Sequence, residues 1–213
     1  MKSWFLSASI SGSIFAALLL SGQVLSSQAL AQNRSEQVRE MDMTALADQP
    51  GYVPNPSDEQ LDVAFQRQPV FFRTTEPPGT VVVHSSTRYL YLVQGNNRAI
   101  RYGIGVGRDG FRWSGVHRIS RKAEWPDWTP PPEMIERQPY LPRFMAGGPG
   151  NPMGARELYI GSTVYRLHGT NQPQTIGSAV SSGCFRLVNP DIIDLYERVP
   201  TGTKVVVLHA PTL

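Results

Sequence analysis

The 213-residue chain has a single cysteine, Cys184. One thiol excludes an intramolecular disulfide and any multi-cysteine zinc or iron–sulfur site. Charge is scarce as well: Asp, Glu, Lys and Arg make up 17% of the residues. The net charge of +3 is too mild to point to nucleic acid. No internal repeat is visible, so a repeat architecture is not indicated. What is plentiful is turn chemistry, with 19 glycines and 18 prolines beside 40% hydrophobic residues. That balance is globular, and it disfavours a coiled coil or a helical bundle. The length suits one domain or two small ones.

The one long apolar stretch lies at the start. Lys2 gives a positive beginning, Trp4 to Leu20 is apolar with scattered serines, and Ala29-Leu30-Ala31 fits a small-x-small cleavage site. Residues 1–31 are therefore expected to be a signal peptide for export, with the mature chain beginning at Gln32. An uncleaved anchor is the lesser alternative, because the run approaches spanning length. Residues 32–68 hold three Arg against seven acids, and residues 69–213 hold 16 Lys plus Arg against 10 acids. With Pro50, Gly51, Pro54 and Pro56 and weak apolar periodicity, 32–68 reads as a disordered acidic linker, and 69–213 as the working domain.

Strand signals follow at Thr80–His84, Tyr89–Gln94, Ala99–Val106, Gly115–Lys122, Glu157–Ile160, Val164–His168 and Lys204–His209. Gly95-Asn96-Asn97 reads as a hairpin turn, and the sheet is expected to be antiparallel. A helix is expected over Pro190–Arg198, with Asn189 as cap, Pro190 at the first helical position and Ile192, Ile193, Leu195, Tyr196 and Val199 on one face. Pro131–Gln138 can form a second, short helix. Between strands, Trp125–Gly154 carries eight prolines and four glycines, a long irregular segment suited to one wall of a cleft.

Gly105-Val106-Gly107-Arg108-Asp109-Gly110 spells a dinucleotide fingerprint, but Phe111-Arg112-Trp113-Ser114-Gly115 reads as a turn where a phosphate-binding helix is required. The basic run Arg98, Arg101, Arg108, Arg112, Arg118, Arg121 and Lys122 reads as a solvated strand face, with an anionic polymer as the alternative. His84, His117 and His209 read as structural or surface residues.

The informative stretch is His168–Leu187. Strand alternation places Val164, Arg166 and His168 on one face and Tyr165 and Leu167 on the other. Sixteen residues after His168 comes Cys184, inside Ser181-Ser182-Gly183-Cys184-Phe185-Arg186-Leu187. The loop can return the thiol to the imidazole. An imidazolium and Arg186 beside it would both lower the thiol pKa. Gly183 permits a tight turn that could aim amides near Gly183 and Cys184 at an oxyanion. A lone cysteine is as often a small buried hydrophobe. A free thiol in an oxidising compartment is a liability, however, and its retention in a polar, glycine-preceded loop favours a nucleophile.

His168-Gly169-Thr170 followed by Ser181-Ser182-Gly183-Cys184-Phe185-Arg186-Leu187 resembles the signature of the L,D-transpeptidases, cysteine enzymes of bacterial peptidoglycan. The resemblance extends through Trp125–Pro131, Gly150–Ala155 and Asn189–Val207, and covers about residues 79–208. It implies a mainly β, β-sandwich-like catalytic domain with one or two short helices, a periplasmic setting, no cofactor and no metal. It also implies roles: Cys184 as nucleophile, His168 as general base, and the Gly169 carbonyl orienting the imidazole. Ser182 and Gly183 are expected to form the oxyanion loop, and Arg186 and Trp128 to contact substrate. Many members have histidine where this chain has Ser182.

The activity implied is attack by Cys184 on the meso-diaminopimelate carbonyl of a tetrapeptide stem, with release of D-alanine and transfer of the acyl group to an amine. Another stem would give a 3-3 cross-link, a D-amino acid would give exchange, and an outer-membrane protein would be anchored. Carbapenem-type inhibitors would trap the thiol. The alternatives are an L,D-carboxypeptidase using water, a noncatalytic wall-binding module, and a cysteine protease acting on ordinary peptides.

Overall fold

The computed structural model describes residues 50–209, so the expected signal peptide (1–31) and residues 32–49 of the expected linker lie outside the described residues. The strands are β1 (Gln68–Phe71), β2 (Val81–His84), β3 (Tyr89–Gly95), β4 (Arg98–Gly103), β5 (Val106–Gly107), β6 (Gly115–Glu124), β7 (Arg156–Ile160), β8 (Arg166–His168), β9 (Ala179–Ser181), β10 (Phe185–Arg186) and β11 (Lys204–Leu208). The helices are α1 (Pro132–Arg137) and α2 (Asn189–Arg198), with 3-10 turns at Val63–Phe65 and Pro173–Thr175.

Nine strands form one hydrogen-bonded network in the order β1-β4-β3-β2-β11-β6-β7-β8-β10. Strand β6 joins its two halves: Gly115–Arg118 pair with β11, and from Ile119 onward the strand pairs with β7 across a register shift. The pairing is not wholly antiparallel as expected, because β11 runs parallel to β2, and β10 parallel to β8. Both halves send side chains into one core: Val81, Val83, Leu90, Tyr102 and Ile104 from one, Leu158, Ile160, Leu167, Phe185 and Leu187 from the other. This shared core makes the mainly β fold sandwich-like. Strand β2 is buried on both faces, since Val82 joins Val93 and Val206 in a second cluster.

Local chemistry explains several elements. Asn96 and Asn97 both take positive φ, 51° and 55°, the backbone of a two-residue type I′ hairpin that joins β3 to β4. Helix α2 buries Ile192 and Leu195 at 0% exposure, each burial contributing ~1.5–3 kcal/mol. Asn189, however, does not cap it. Val188 is the cap residue and makes no side-chain cap bond, while Asn189 Oδ1 accepts from the Ala155 amide at 2.9 Å. The expected strand Ala99–Val106 breaks after Gly103, because Gly105 exchanges two 2.9 Å backbone bonds with Arg186 and leads the chain into β5, paired with β9.

The acidic segment from Pro50 to Gln68 is not a free spacer. Gly51 donates to the Gly150 carbonyl, Asn171 Nδ2 donates to the Tyr52 carbonyl at 3.1 Å, and Arg67 pairs with Asp194 at 3.1 Å. Phe65 lies against Tyr89 and fills a seat left by two glycines; a Cβ on Gly103 or Gly177 would stand 2.4–2.5 Å from Phe65 atoms. A few anchors hold a stretch whose average composition looks unfolded.

The glycine-rich run 105–110 leads through a turn into β6, with no helix. Members of the basic run are spent locally. Arg101 lies over Tyr89, Arg121 over Tyr159 and Lys122 over Tyr196, and Arg118 donates to the Gly202 carbonyl.

Candidate active site

The site is built on one face of the β6–β7–β8–β10 sheet. Parallel pairing sets Arg186 opposite His168 and Phe185 opposite Leu167. Antiparallel pairing sets Glu157 opposite His168 and Tyr159 opposite Arg166. Because side chains alternate, Leu158, Leu167, Phe185 and Leu187 point into the core, and Glu157, Tyr159, Arg166, His168, Cys184 and Arg186 share the other face. All six line a single cleft of about 290 Å³.

The opposite wall comes from the proline-rich segment: Asp127, Trp128, Thr129, Pro131, Met134 and Met153. That wall has its own small core of Trp128, Met134 and Leu141. Asn151, wholly buried, ties it together by donating to the carbonyls of Pro126, Met145 and Ala146 and accepting from the Met153 amide.

His168 is 1% exposed, and its Nδ1 lies 2.6 Å from the Gly169 carbonyl oxygen. Gly169 has no room for a side chain, since a Cβ would stand 2.5 Å from Asn189 Oδ1. Asn189 therefore wedges the end of β8 against Ala155, a role the sequence reading had given to helix capping.

Before Cys184 the chain turns through Gly183 at φ +107°, and a Cβ there would stand 2.4 Å from Tyr165 Cε1. Glycine is thus required on two counts, backbone conformation and close approach. The Gly183 carbonyl accepts from Trp113 Nε1 at 2.9 Å, and Trp113 stacks on Tyr165 with ring centroids 4.4 Å apart. The Gly183 amide donates to Ser181 Oγ at 3.2 Å, so it is engaged inside the loop rather than turned toward an oxyanion. Ser181 Oγ in turn donates to the Cys184 carbonyl at 2.6 Å. Ser182 lines the cleft, and its Oγ is 3.4 Å from Arg137 Nη2.

The electrostatics differ from the sequence expectation. Burial lowers the His168 pKa to about 3; the charge of Arg186 adds to this, and the Gly169 carbonyl opposes it. The imidazole is therefore neutral at neutral pH. Burial also pushes the Cys184 thiol up, against the Arg166 backbone amide and the charges of Arg166 and Arg186, which pull it down. Arg186 acts in the expected direction, but the expected imidazolium does not exist and desolvation prevails. The resting pair is a thiol and a neutral imidazole.

Of the expected site residues, Cys184, His168, Ser182, Arg186 and Trp128 line the cleft, and Gly169 and Gly183 supply backbone just behind it. Glu157, Tyr159 and Arg166 went unassigned in the sequence reading, as did Trp113 and Tyr165. Alternation in Val164–His168 already put Arg166 on the face of His168; nothing local showed that β7 would lie alongside.

Cys184 and the buried His168 thus face one cleft of a mainly β domain. The model of the L,D-transpeptidase catalytic domain, YkuD, matches residues 78–207, and the chain belongs to this family. The probable L,D-transpeptidase ErfK/SrfK of Escherichia coli strain K12 is 39% identical over 152 residues, covering 68% of this chain and 48% of that protein. The probable L,D-transpeptidase YbiS of the same strain is 38% identical over 153 residues, covering 68% and 49%. The chain thus spans about half the length of these curated relatives. Among solved structures, the Ldtfm–avibactam carbamoyl enzyme superposes with a TM-score of 0.51 at 17% identity, covering 64% of this chain and 51% of that one, a likeness of fold.

Proposed function

We propose that this protein is a peptidoglycan L,D-transpeptidase in which Cys184 is the nucleophile and His168 the general base. The observation that carries the reading is the parallel pairing of β8 with β10, which sets the two side chains on one sheet face in one cleft. With the imidazole neutral and Nδ1–H donating to the Gly169 carbonyl, Nε2 keeps its lone pair. As the sulfur attacks the diaminopimelate carbonyl of a tetrapeptide stem, the thiol proton passes to Nε2. The C–N bond then breaks, and the proton leaves with the amine of D-alanine. The product is a thioester on Cys184. An amine acceptor resolves it by the reverse proton path, regenerating the thiol.

Because thiol and imidazole are both uncharged at rest, deprotonation accompanies attack instead of preceding it. The Arg166 and Arg186 charges stabilise the sulfur as it becomes anionic. With the Gly183 amide engaged by Ser181, the Cys184 amide is the loop's donor to the oxyanion.

Another stem as acceptor gives a 3-3 cross-link, a D-amino acid gives exchange, an outer-membrane protein gives an anchor, and water gives L,D-carboxypeptidase activity. A carbapenem would acylate the same thiol. The signal-like features of residues 1–31 support a periplasmic setting. Incubation of the mature chain with tetrapeptide muropeptides should release D-alanine and add the acyl mass to the protein, and Cys184→Ala should do neither. Release at the wild-type rate from Cys184→Ala would overturn the mechanism, and product analysis with added stems or D-amino acids identifies the acceptor.

A further inference from the structure

The sheet face that carries Cys184 and His168 also carries the ion pair of Arg166 with Glu157. Arg166 sits two residues before His168 on β8, and one step beyond the β8–β10 register it lies beside Cys184. Its guanidinium is fixed from two sides: Nε pairs with Glu157 Oε1 at 2.9 Å, and Nη1 donates to the carbonyls of Thr163 and Tyr165 at 2.9 and 3.0 Å. The plane lies over the Tyr159 ring at 4.4 Å. The side chain lines the cleft and is 24% exposed there, whereas Glu157 is 5% exposed.

A structural staple would be satisfied on every side by protein. Arg166 instead is held by these bonds and still reaches the surface of the cleft. An arginine held in this way loses little rotamer freedom when it binds, and its remaining N–H groups suit a carboxylate. The charges of Arg166 and Arg186 both reach Cys184, and Glu157 on the same face and Asp127 on the opposite wall are the acids that line the cleft.

We propose that Arg166, held by Glu157 and Tyr159, is a specificity-determining residue that receives a substrate carboxylate within one residue of the scissile carbonyl. The identity of the substrate rests on the transpeptidase reading above. On a tetrapeptide stem the candidates on the scissile residue and beyond it are the carboxylate of the terminal D-alanine and that at the side-chain end of diaminopimelate.

The test is calorimetric binding to the Cys184→Ala chain, which cannot turn the peptides over. Three ligands are compared: the tetrapeptide stem, its terminal D-alaninamide, and the form amidated at the diaminopimelate side chain. One of the two amides should bind about 10–100-fold more weakly than the parent, the span of a charge-assisted hydrogen bond, and identifies the carboxylate received. Adding Arg166→Gln should abolish that preference while leaving the affinity for the weaker amide within about threefold. If Arg166→Gln does not fold, Arg166→Lys reads the same preference, reduced if the guanidinium receives the carboxylate and unchanged if it is a staple. Equal binding of all three peptides, or a preference that survives at position 166, overturns the assignment. A carboxylate preference at Arg166 in a protein that releases no D-alanine would remove the transpeptidase reading and leave Arg166 as the anion receiver.

Discussion

The burial of His168 makes a quantitative demand on stability. Its imidazole titrates at an ordinary 6.5 in the unfolded chain but only at about 3 in the folded one. As pH falls below 6.5 the unfolded chain takes up a proton that the folded chain refuses. Stability therefore drops with falling pH, by ~1.4 kcal/mol per unit at full slope, until about pH 3. Between pH 7 and 4.5 the loss amounts to ~2.5 kcal/mol. Replacing His168 by Gln keeps a donor able to reach the Gly169 carbonyl but removes the titration. Urea unfolding of the wild type and His168→Gln, followed by tryptophan fluorescence at half-unit steps of pH, should show the wild type losing ~2–3 kcal/mol more than the variant over that range. Other groups, Asp191 among them, titrate in both proteins and cancel in the difference. A difference between the two proteins that does not change with pH would mean that the imidazole titrates alike folded and unfolded, and the argument for a neutral imidazole would fall.

Two further outcomes follow from the same geometry. Gly183→Ala places a Cβ 2.4 Å from Tyr165 Cε1 at φ +107°, so it should cost ~2–5 kcal/mol and, by displacing the loop, change the rate at which iodoacetamide alkylates Cys184; unchanged melting and alkylation would refute the steric reading. Asp191, raised to about 6 by burial against the pull of Arg67, holds a proton in the folded state between about 6 and 3.8 that the unfolded chain has lost. The contribution of Asp191 to stability therefore rises as pH falls through that window, opposite in sign to that of His168. Asp191→Asn should stabilise by ~1–3 kcal/mol at pH 7, with the gain fading toward pH 4, and destabilisation at pH 7 would show that the Arg67 pair outweighs desolvation.

Much of this was written locally. Alternation in Val164–His168 sorts Arg166 and His168 from Leu167, the paired asparagines dictate a hairpin, and the spacing of Ile192, Leu195 and Val199 makes one helix face. The segment from His168 to Leu187 carries the family signature within twenty residues, and the crowding of proline and glycine over 125–154 marks a wall with no regular element. Each of these depends on neighbours a few residues apart, where backbone sterics and periodicity act.

What the tertiary structure decided depends on residues far apart in the chain. The two-residue strand β10 is too short to announce itself, and only its docking on β8 brings Cys184 to the face of His168. Asn189 looks like a helix cap by sequence and becomes a wedge because Gly154, Ala155 and Gly169 converge on it. Phe65 anchors an acidic stretch because two distant glycines leave it a seat. The direction of both pKa shifts was decided in the same way. The sequence offers charges that would favour a thiolate, but desolvation is set by everything packed around the pair, and in the assembled cleft it outweighs them.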